Sequence, residues 1–357
     1  MRSRLQNLRT QFDRLNFHSF LVTFQPHVRY LSGFTGSSGV CLVTLKSASL
    51  VTDGRYAQQV KHEVKGWRVF IAQESLFEGM RKSAKGGLRS GSRVGIDGNS
   101  LTLAQYRHLK KLYPEVRFIP TVDVIEKLTA VKDSDEIEKI KKAVAITDRV
   151  FSDILELVKP NVKELDIAAE ITYRHRKYGA DGDAFEQIVA SGERSALPHG
   201  RPTAKKLRHG EFITIDLGCV YQGYHSDMTR TVAIGKPTSE AKKIYNTVLD
   251  AQRKAIGAAK SGMKTKELDA VARNFIKAQG YEKYFRHSLG HGIGLQIHES
   301  PRISVQSKYI LQEGNVVTIE PGVYVPNLGG VRIEDDVVIT NGHCEVLNRS
   351  PKELIIL

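Results

Sequence analysis

Two acids stand where acids are costly. The stretch GEFITIDLGCVYQGYHSDMTRTV, from Gly210 to Val232, has the alternation of an apolar β-hairpin, yet Asp216 lies between Ile215 and Leu217, and Asp227 precedes Met228. With Tyr221-Gln222 as the tip of a two-residue loop, Asp216 faces Asp227. Directly opposed residues on one face hold their Cβ atoms about 4.5–5.5 Å apart. Like charges that close, and partly buried, repel, so one acid is protonated or a cation lies between them. A second pair follows downstream. Glu320 in NVVTIEPG and Glu334 in GGVRIEDD flank the turn PNLGG. Four carboxylates brought together stay ionised only with about two divalent cations among them. Oxygen donors suit Mn²⁺ or Mg²⁺, and one added imidazole admits Co²⁺, Zn²⁺ or Fe²⁺.

Imidazoles are at hand. RHSLGHGIGLQIHES supplies His287, His291 and His298 among Gly290, Gly292 and Gly294, whose missing side chains permit close backbone approach to a site. His199 follows the proline of SALPHG. A lone Asp in a strand is ordinarily a turn or edge residue, and a lone His a satisfied polar group. Matched acids in matched hairpins weigh against both readings.

The match is part of a repeat. Thr214-Ile215-Asp216 returns as Thr318-Ile319-Glu320, Gly210 and Gly218 return as Gly314 and Gly322, and KELD at 163–166 returns as KELD at 266–269. Each half reads helix, helix, hairpin. Two copies are too few for a solenoid and predict a pseudo-twofold α+β domain with one shared sheet.

The rest of the chain frames this unit. Its 357 residues predict two domains. The first alternates helix and strand: a helix over 1–17, strands SFLVTFQ (19–25), GVCLVTL (39–45), SASLVTD (47–53), RVFIAQ (68–73), RVGIDG (93–98) and VRFIPT (116–121), and a helix around Ala104–Leu112. This is an α/β domain with its boundary near Ala130–Lys132. A long helix then begins in DSDEIEKIKKAV, with Ser134 as its expected N-cap.

Lys and Arg total 53 against 39 acids, a net charge of +14. The basic clusters, Arg81-Lys82 through Arg93 and Lys205-Lys206-Leu207-Arg208, are scattered and lack interleaved aromatics. A solvated basic surface is expected, with no nucleic-acid partner. Cys41, Cys219 and Cys344 are too few and too far apart for a disulfide framework, which fits a reducing, cytoplasmic setting. The N-terminus shows no signal peptide, and no apolar run approaches the roughly 20 residues of a membrane helix.

These residues resemble a known family. Asp216, Asp227, His291, Glu320 and Glu334 match, in order and local sequence, the five ligands of the dinuclear-metal pita-bread peptidases. ASGERSALPHG (190–200), DLGCVYQGYHSDMTRT (216–231), HSLGHGIGLQIHE (287–299) and TIEPGVY (318–324) resemble the Xaa-Pro branch, and RYLSGFTGSSG (29–39) with LVTDGRY (50–56) resembles that branch's N-terminal domain. The implied fold is α+β, a creatinase-like N-terminal α/β domain over 1–130 followed by a pseudo-twofold pita-bread catalytic domain over 131–357. The full ligand set separates the chain from creatinase-like relatives, and its length separates it from methionine aminopeptidases.

The resemblance implies two divalent ions per subunit, Mn²⁺ first, with Co²⁺, Zn²⁺ or Fe²⁺ as alternatives. Asp227 and Glu334 would bridge them, Asp216 would chelate one, and His291 with Glu320 would complete the other. A hydroxide between the metals would attack, Glu320 would move the proton to the prolyl nitrogen, and His298 and His199 would hydrogen-bond the oxyanion. His287 and Tyr324 would hold the proline ring, Arg332 would order Glu334, and Arg302 would clamp a free carboxylate. Substrates would be small peptides with proline at position two, and the subunits would pair as a homodimer. Two rivals carry different expectations: a pita-bread binding module without hydrolysis, and a same-fold aminopeptidase of other specificity.

Overall fold

Residues 4–83 and 88–357 are described by the computed structural model, so the start of the predicted N-terminal helix and part of the Arg81–Arg93 basic cluster lie outside the described residues. The chain divides into two compact units, Met1–Thr129 and Ala130–Leu357.

The first unit runs α1 (Arg4–Leu15), β1 (Ser19–Val22), α2 (Gln25–Ser32), β2 (Gly39–Thr44), β3 (Ala48–Asp53), α3 (Gln59–Glu63), β4 (Arg68–Ala72), α4 (Leu76–Ser83), β5 (Arg93–Asp97), α5 (Leu103–Leu112), β6 (Arg117–Thr121) and α6 (Glu126–Thr129). The strands form one sheet in the order β4-β3-β2-β1-β5-β6. β1, β5 and β6 run parallel, while β2 is antiparallel to both of its neighbours. Leu21, Leu42, Val51, Val94, Ile96 and Phe118 carry the sheet's share of the core. One expectation fails here. The strand predicted over 19–25 stops at Val22, because Gln25-Pro26 opens α2. Proline's fixed φ and missing N–H suit the first turn of a helix, not a strand. Gly33 ends α2 at φ 78, a left-handed position that glycine tolerates.

The second unit runs α7 (Ser134–Ile154), α8 (Glu164–Lys177), β7 (Gly182–Asp183), β8 (Ile188–Ser191), β9 (Phe212–Leu217), β10 (Cys219–Tyr221), β11 (Tyr224–His225) and β12 (Met228–Ala233). It continues with α9 (Ser239–Ala258), α10 (Thr265–Ala278), β13 (Gly290–Gly292), β14 (Glu299–Ile303), β15 (Val316–Ile319), β16 (Gly322–Val325), β17 (Gly329–Arg332), β18 (Asp335–Ile339) and β19 (Cys344–Val346). The cap of α7 is Asp133, not Ser134. Its carboxylate accepts from Glu136 N, and the Glu136 carboxylate accepts from Asp133 N. The acid three residues on is what a capping box requires, and only Asp133 has it.

The duplication is visible in the fold, with one revision. The residue capping α8 forms an isolated bridge, Lys163 to Lys206, and the residue capping α10 forms another, Lys264 to Ile310. Helix burial follows the same alignment: Glu164 with Thr265, Ile167 with Leu268, Ile171 with Ala272, His175 with Ile276. That offset is 101. The two KELD segments, 103 apart, are therefore not equivalent. Leu165 is 49% exposed while Leu268 is fully buried. Three residues gained between helix and hairpin restore the offset of 104 at β9 and β15.

Two cores form, one of α7 and α8 against β8, β9 and β12, the other of α9 and α10 against β15 to β18 with Phe212 and Ala233 from the first half. The predicted single sheet is instead broken into separate pieces, β12-β9-β8, β11-β10-β7, β14-β13-β15-β18-β19 and β16-β17. The breaks fall at 218, 226–227, 320–321 and 333–334, three of them at Asp227, Glu320 and Glu334. Polar contacts cross between the halves at these breaks: Glu334 N donates to Thr229 O (3.1 Å), Asp227 N to an Asp336 oxygen (2.9 Å), and Arg230 to Asp335 (2.7 Å).

Candidate metal centre

The hairpin registers decide where the acids meet. β9 and β12 pair Asp216 with Thr229 and Leu217 with Met228. The tip is Gln222-Gly223, with φ 47 and 76, one residue later than expected. Positive φ at both central residues is the type I′ turn that matches strand twist. Asp216 and Asp227 are thus diagonal neighbours, not opposed. Because side chains alternate with period two, the two-residue shift leaves both on one face. In the second copy Ile319 pairs with Asp335 and Gly322 with Arg332. Carried across the break, that register sets Glu320 opposite Glu334. Glycine makes the approach possible beside His291: a Cβ on Gly290 would lie 2.0 Å from Thr318 O.

The acids open onto a cavity of about 600 Å³. Ten of the eleven residues chosen from sequence line it: Asp216, Asp227, Glu320, Glu334, His199, His287, His291, His298, Arg302 and Arg332. Tyr324 does not. It is buried behind the wall, its hydroxyl 2.7 Å from Arg332 Nη1 and 3.0 Å from His287 Nε2. Ligand atoms of Asp227, His291 and Glu334 lie within 4.8 Å of one another. His291 Nε2 is 3.4 Å from Glu320 Oε1 and 3.7 Å from Asp227 Oδ2. His291 Nδ1 is 3.1 Å from Gly292 O, which places the proton there and leaves the Nε2 lone pair facing the acids.

Electrostatics agree with a cation site. Burial, then Glu334 and Asp216, hold the Asp227 carboxyl well above the usual range. Burial and Glu334 do the same to Glu320. Burial and Asp216 push Glu334 up to about 8. Burial and the neighbouring His298 push His291 down to about 4, so its imidazole is neutral at pH 7. Asp216 Oδ1 is buried with no hydrogen-bond partner among the described residues. An orphaned carboxylate oxygen, repelling acids and a neutral imidazole fit divalent cations bound by O and N donors.

Arg332 reaches Glu334 indirectly. Its Nη2 donates to Asp216 Oδ2 at 2.7 Å, in the other half of the repeat, instead of pairing with Glu334. Its Nε donates to Thr229 Oγ1 (3.0 Å), and that hydroxyl donates to Glu334 Oε2 (2.6 Å). Thr229 therefore links Arg332 to Glu334. Nη1 also donates to Pro198 O (3.0 Å), tying down the loop that bears the exposed His199.

His298 is exposed in the loop between β13 and β14, its ring centroid 4.3 Å from that of His291. His287 Nδ1 is 2.8 Å from Ser288 O, and Nε2 accepts from Tyr324. Arg302 is exposed at the cavity wall, and its guanidinium makes no hydrogen bond or ion pair with the described residues.

Sequence reasoning missed three supports. Thr229 and Asp336 sit beside Glu334 and Asp227, and the strand alternation of SDMTRT and IEDD was the available signal. The buried Lys132–Glu299 pair, 2.5 Å apart, anchors the residue after His298, and its members are too distant in sequence to suggest each other.

A duplicated α+β unit whose acid-bearing ribbons break around one cavity has the pita-bread architecture of metal-dependent hydrolases. Residues 138–341 match Metallopeptidase family M24, and residues 4–131 match the Creatinase/Prolidase N-terminal domain. The chain is 39% identical over 358 residues to the Xaa-Pro dipeptidase of Pyrococcus horikoshii, covering 99% of each. Among solved structures, it resembles an Xaa-Pro dipeptidase from Bacillus anthracis (TM-score 0.96, 40% identity, 99% of each chain covered). It also resembles an X-Pro aminopeptidase from Thermotoga maritima (TM-score 0.90, 37% identity, 100% of each). The chain belongs to metallopeptidase family M24. Peptidase chemistry thus prevails over the binding-module alternative.

Proposed function

We propose that the protein hydrolyses the bond between a first residue and a following proline, in dipeptides and short peptides. One observation carries this reading: all four hairpin acids and His291 face one cavity whose wall also holds the unpaired Arg302. Relatives named for Xaa-Pro cleavage support the choice of bond. In this proposal Asp216, Asp227, His291, Glu320 and Glu334 hold two divalent ions, with Mn²⁺ favoured by the oxygen-rich donor set. Bound there, the ions would acidify water and polarise the scissile carbonyl.

The chain's own groups do the rest. Glu320 takes the proton of the attacking water and returns it to the prolyl nitrogen, which carries no hydrogen of its own in the peptide. His298 and His199, both exposed at the cavity, donate to the developing oxyanion. His287 walls the proline ring, with its tautomer fixed by Ser288 O and Tyr324. Arg302 receives the proline carboxylate of a dipeptide. Arg332 holds Asp216 and, through Thr229, Glu334.

The same reading takes residues 1–130 and 131–357 as two folding domains and a homodimer as the assembly. Three cysteines without a disulfide support a reducing, cytoplasmic setting. The test is a length series, Ala-Pro, Ala-Pro-Gly and Ala-Ala, assayed across Mn²⁺, Co²⁺ and Zn²⁺. Preference for the proline substrates is expected. Equal turnover of Ala-Ala would overturn the assignment.

A further inference from the structure

We propose that the N-terminal unit carries a metal site of its own, in which His27, Asp97 and Glu126 hold a divalent cation of the Zn²⁺, Co²⁺ or Mn²⁺ class. Parallel strands β1, β5 and β6 lie side by side, and the three residues come from their carboxyl ends. Asp97 is the last residue of β5, His27 lies in the first turn of the helix after β1, and Glu126 opens the helix after β6. The carboxyl ends of parallel strands are where open α/β sheets place ligands.

One ligand atom from each residue lies within 4.8 Å of the other two. His27 is 2% exposed. Its Nδ1 stands 3.1 Å from Asp97 Oδ2, while its Nε2 is buried with no partner among the described residues. A polar nitrogen left bare inside a protein is costly, which favours a second partner for the ring.

The carboxylates are held ready. Asn99 N donates to Asp97 Oδ1 (3.0 Å), and Asn99 Nδ2 donates to Glu126 Oε1 (3.3 Å), so one residue orients both acids. Two carboxylates balance the charge of a divalent ion. Glu126 is only half-buried, which leaves a path from solvent. One imidazole and two carboxylates, with positions left for water, suit ions of the Zn²⁺, Co²⁺ and Mn²⁺ class. The competing arrangement is a metal-free His27–Asp97 hydrogen bond.

Counting ions separates the two. The full-length chain, stripped with chelator and dialysed against Zn²⁺, is analysed for metal per chain beside Glu126→Gln. The parent is expected to hold one ion more than E126Q, with peptidase activity unchanged because none of the three residues lines the carboxylate cavity. Should E126Q fail to fold, His27→Gln takes its place with the same expectation. Equal metal content in the parent and a folded variant would overturn the site.

Discussion

Arg332 and Asp216 meet at 2.7 Å, a guanidinium from the second repeat on a carboxylate from the first, both buried. Removing one member of such a pair leaves the other's charge uncompensated. In the metal-free protein, Arg332→Met should cost about 3–5 kcal/mol of stability. Urea unfolding of R332M, D216N and the double variant measures the coupling, and additive effects would deny the pair its role.

Thr229 joins Arg332 to Glu334 by one hydroxyl. Thr229→Val keeps the shape and removes the link, so metal affinity should fall about 10–100-fold, while Thr229→Ser keeps it. Isothermal titration with Mn²⁺ reads both. Unchanged affinity in T229V would mean that Glu334 needs no such support.

Metal retention should distinguish ligands from groups that touch substrate. Asp227→Asn is expected to abolish Xaa-Pro hydrolysis and lower bound metal together. His298→Ala should slow turnover by roughly 10²–10³-fold with metal content intact, as loss of an oxyanion donor does. Elemental analysis beside kcat decides, and loss of metal in H298A would make His298 a ligand.

Arg302→Ala should raise KM for Ala-Pro by roughly tenfold or more, the worth of a charged hydrogen bond. Ala-Pro-Gly, whose carboxylate lies one residue further on, should suffer less. Equal losses on both substrates would remove the clamp.

The raised Glu334 carboxyl sets a pH dependence. Its folded value of about 8, lifted by burial and Asp216, lies above the unfolded value of roughly 4.3. The metal-free fold therefore binds an extra proton between these values. Its stability should be greatest below about pH 4.3 as far as this group is concerned, and fall as pH rises through 8. Added metal should raise the melting temperature more at pH 8 than at pH 5, because ligands must be ionised. A chelated protein whose stability is flat across this window would contradict the shift.

Much of the site was legible because acids in apolar strands are conspicuous and the repeat doubled the signal. Asp216, Asp227, Glu320 and Glu334 needed only alternation to be placed on one face. Register was less accessible: a Gln222-Gly223 tip and a Tyr221-Gln222 tip differ by one residue, and only the folded backbone, through its φ and pairing, separates them. Partners across the repeat were not readable at all. Arg332 lies two residues from Glu334 in sequence, yet its carboxylate is Asp216, 116 positions away. The KELD match misled because identical letters on two helices carry no information about which face is buried. The helix over 25–32 was hidden by a β-rich approach, and Gln25-Pro26 was its one visible mark.

Arg332 with Asp216, Arg230 with Asp335, and Asp227 N with Asp336 all reach from one duplicate to the other. Each copy has therefore surrendered self-sufficiency. A chain severed between β12 and α9 would strand uncompensated ions inside both fragments, so neither half is built to stand alone.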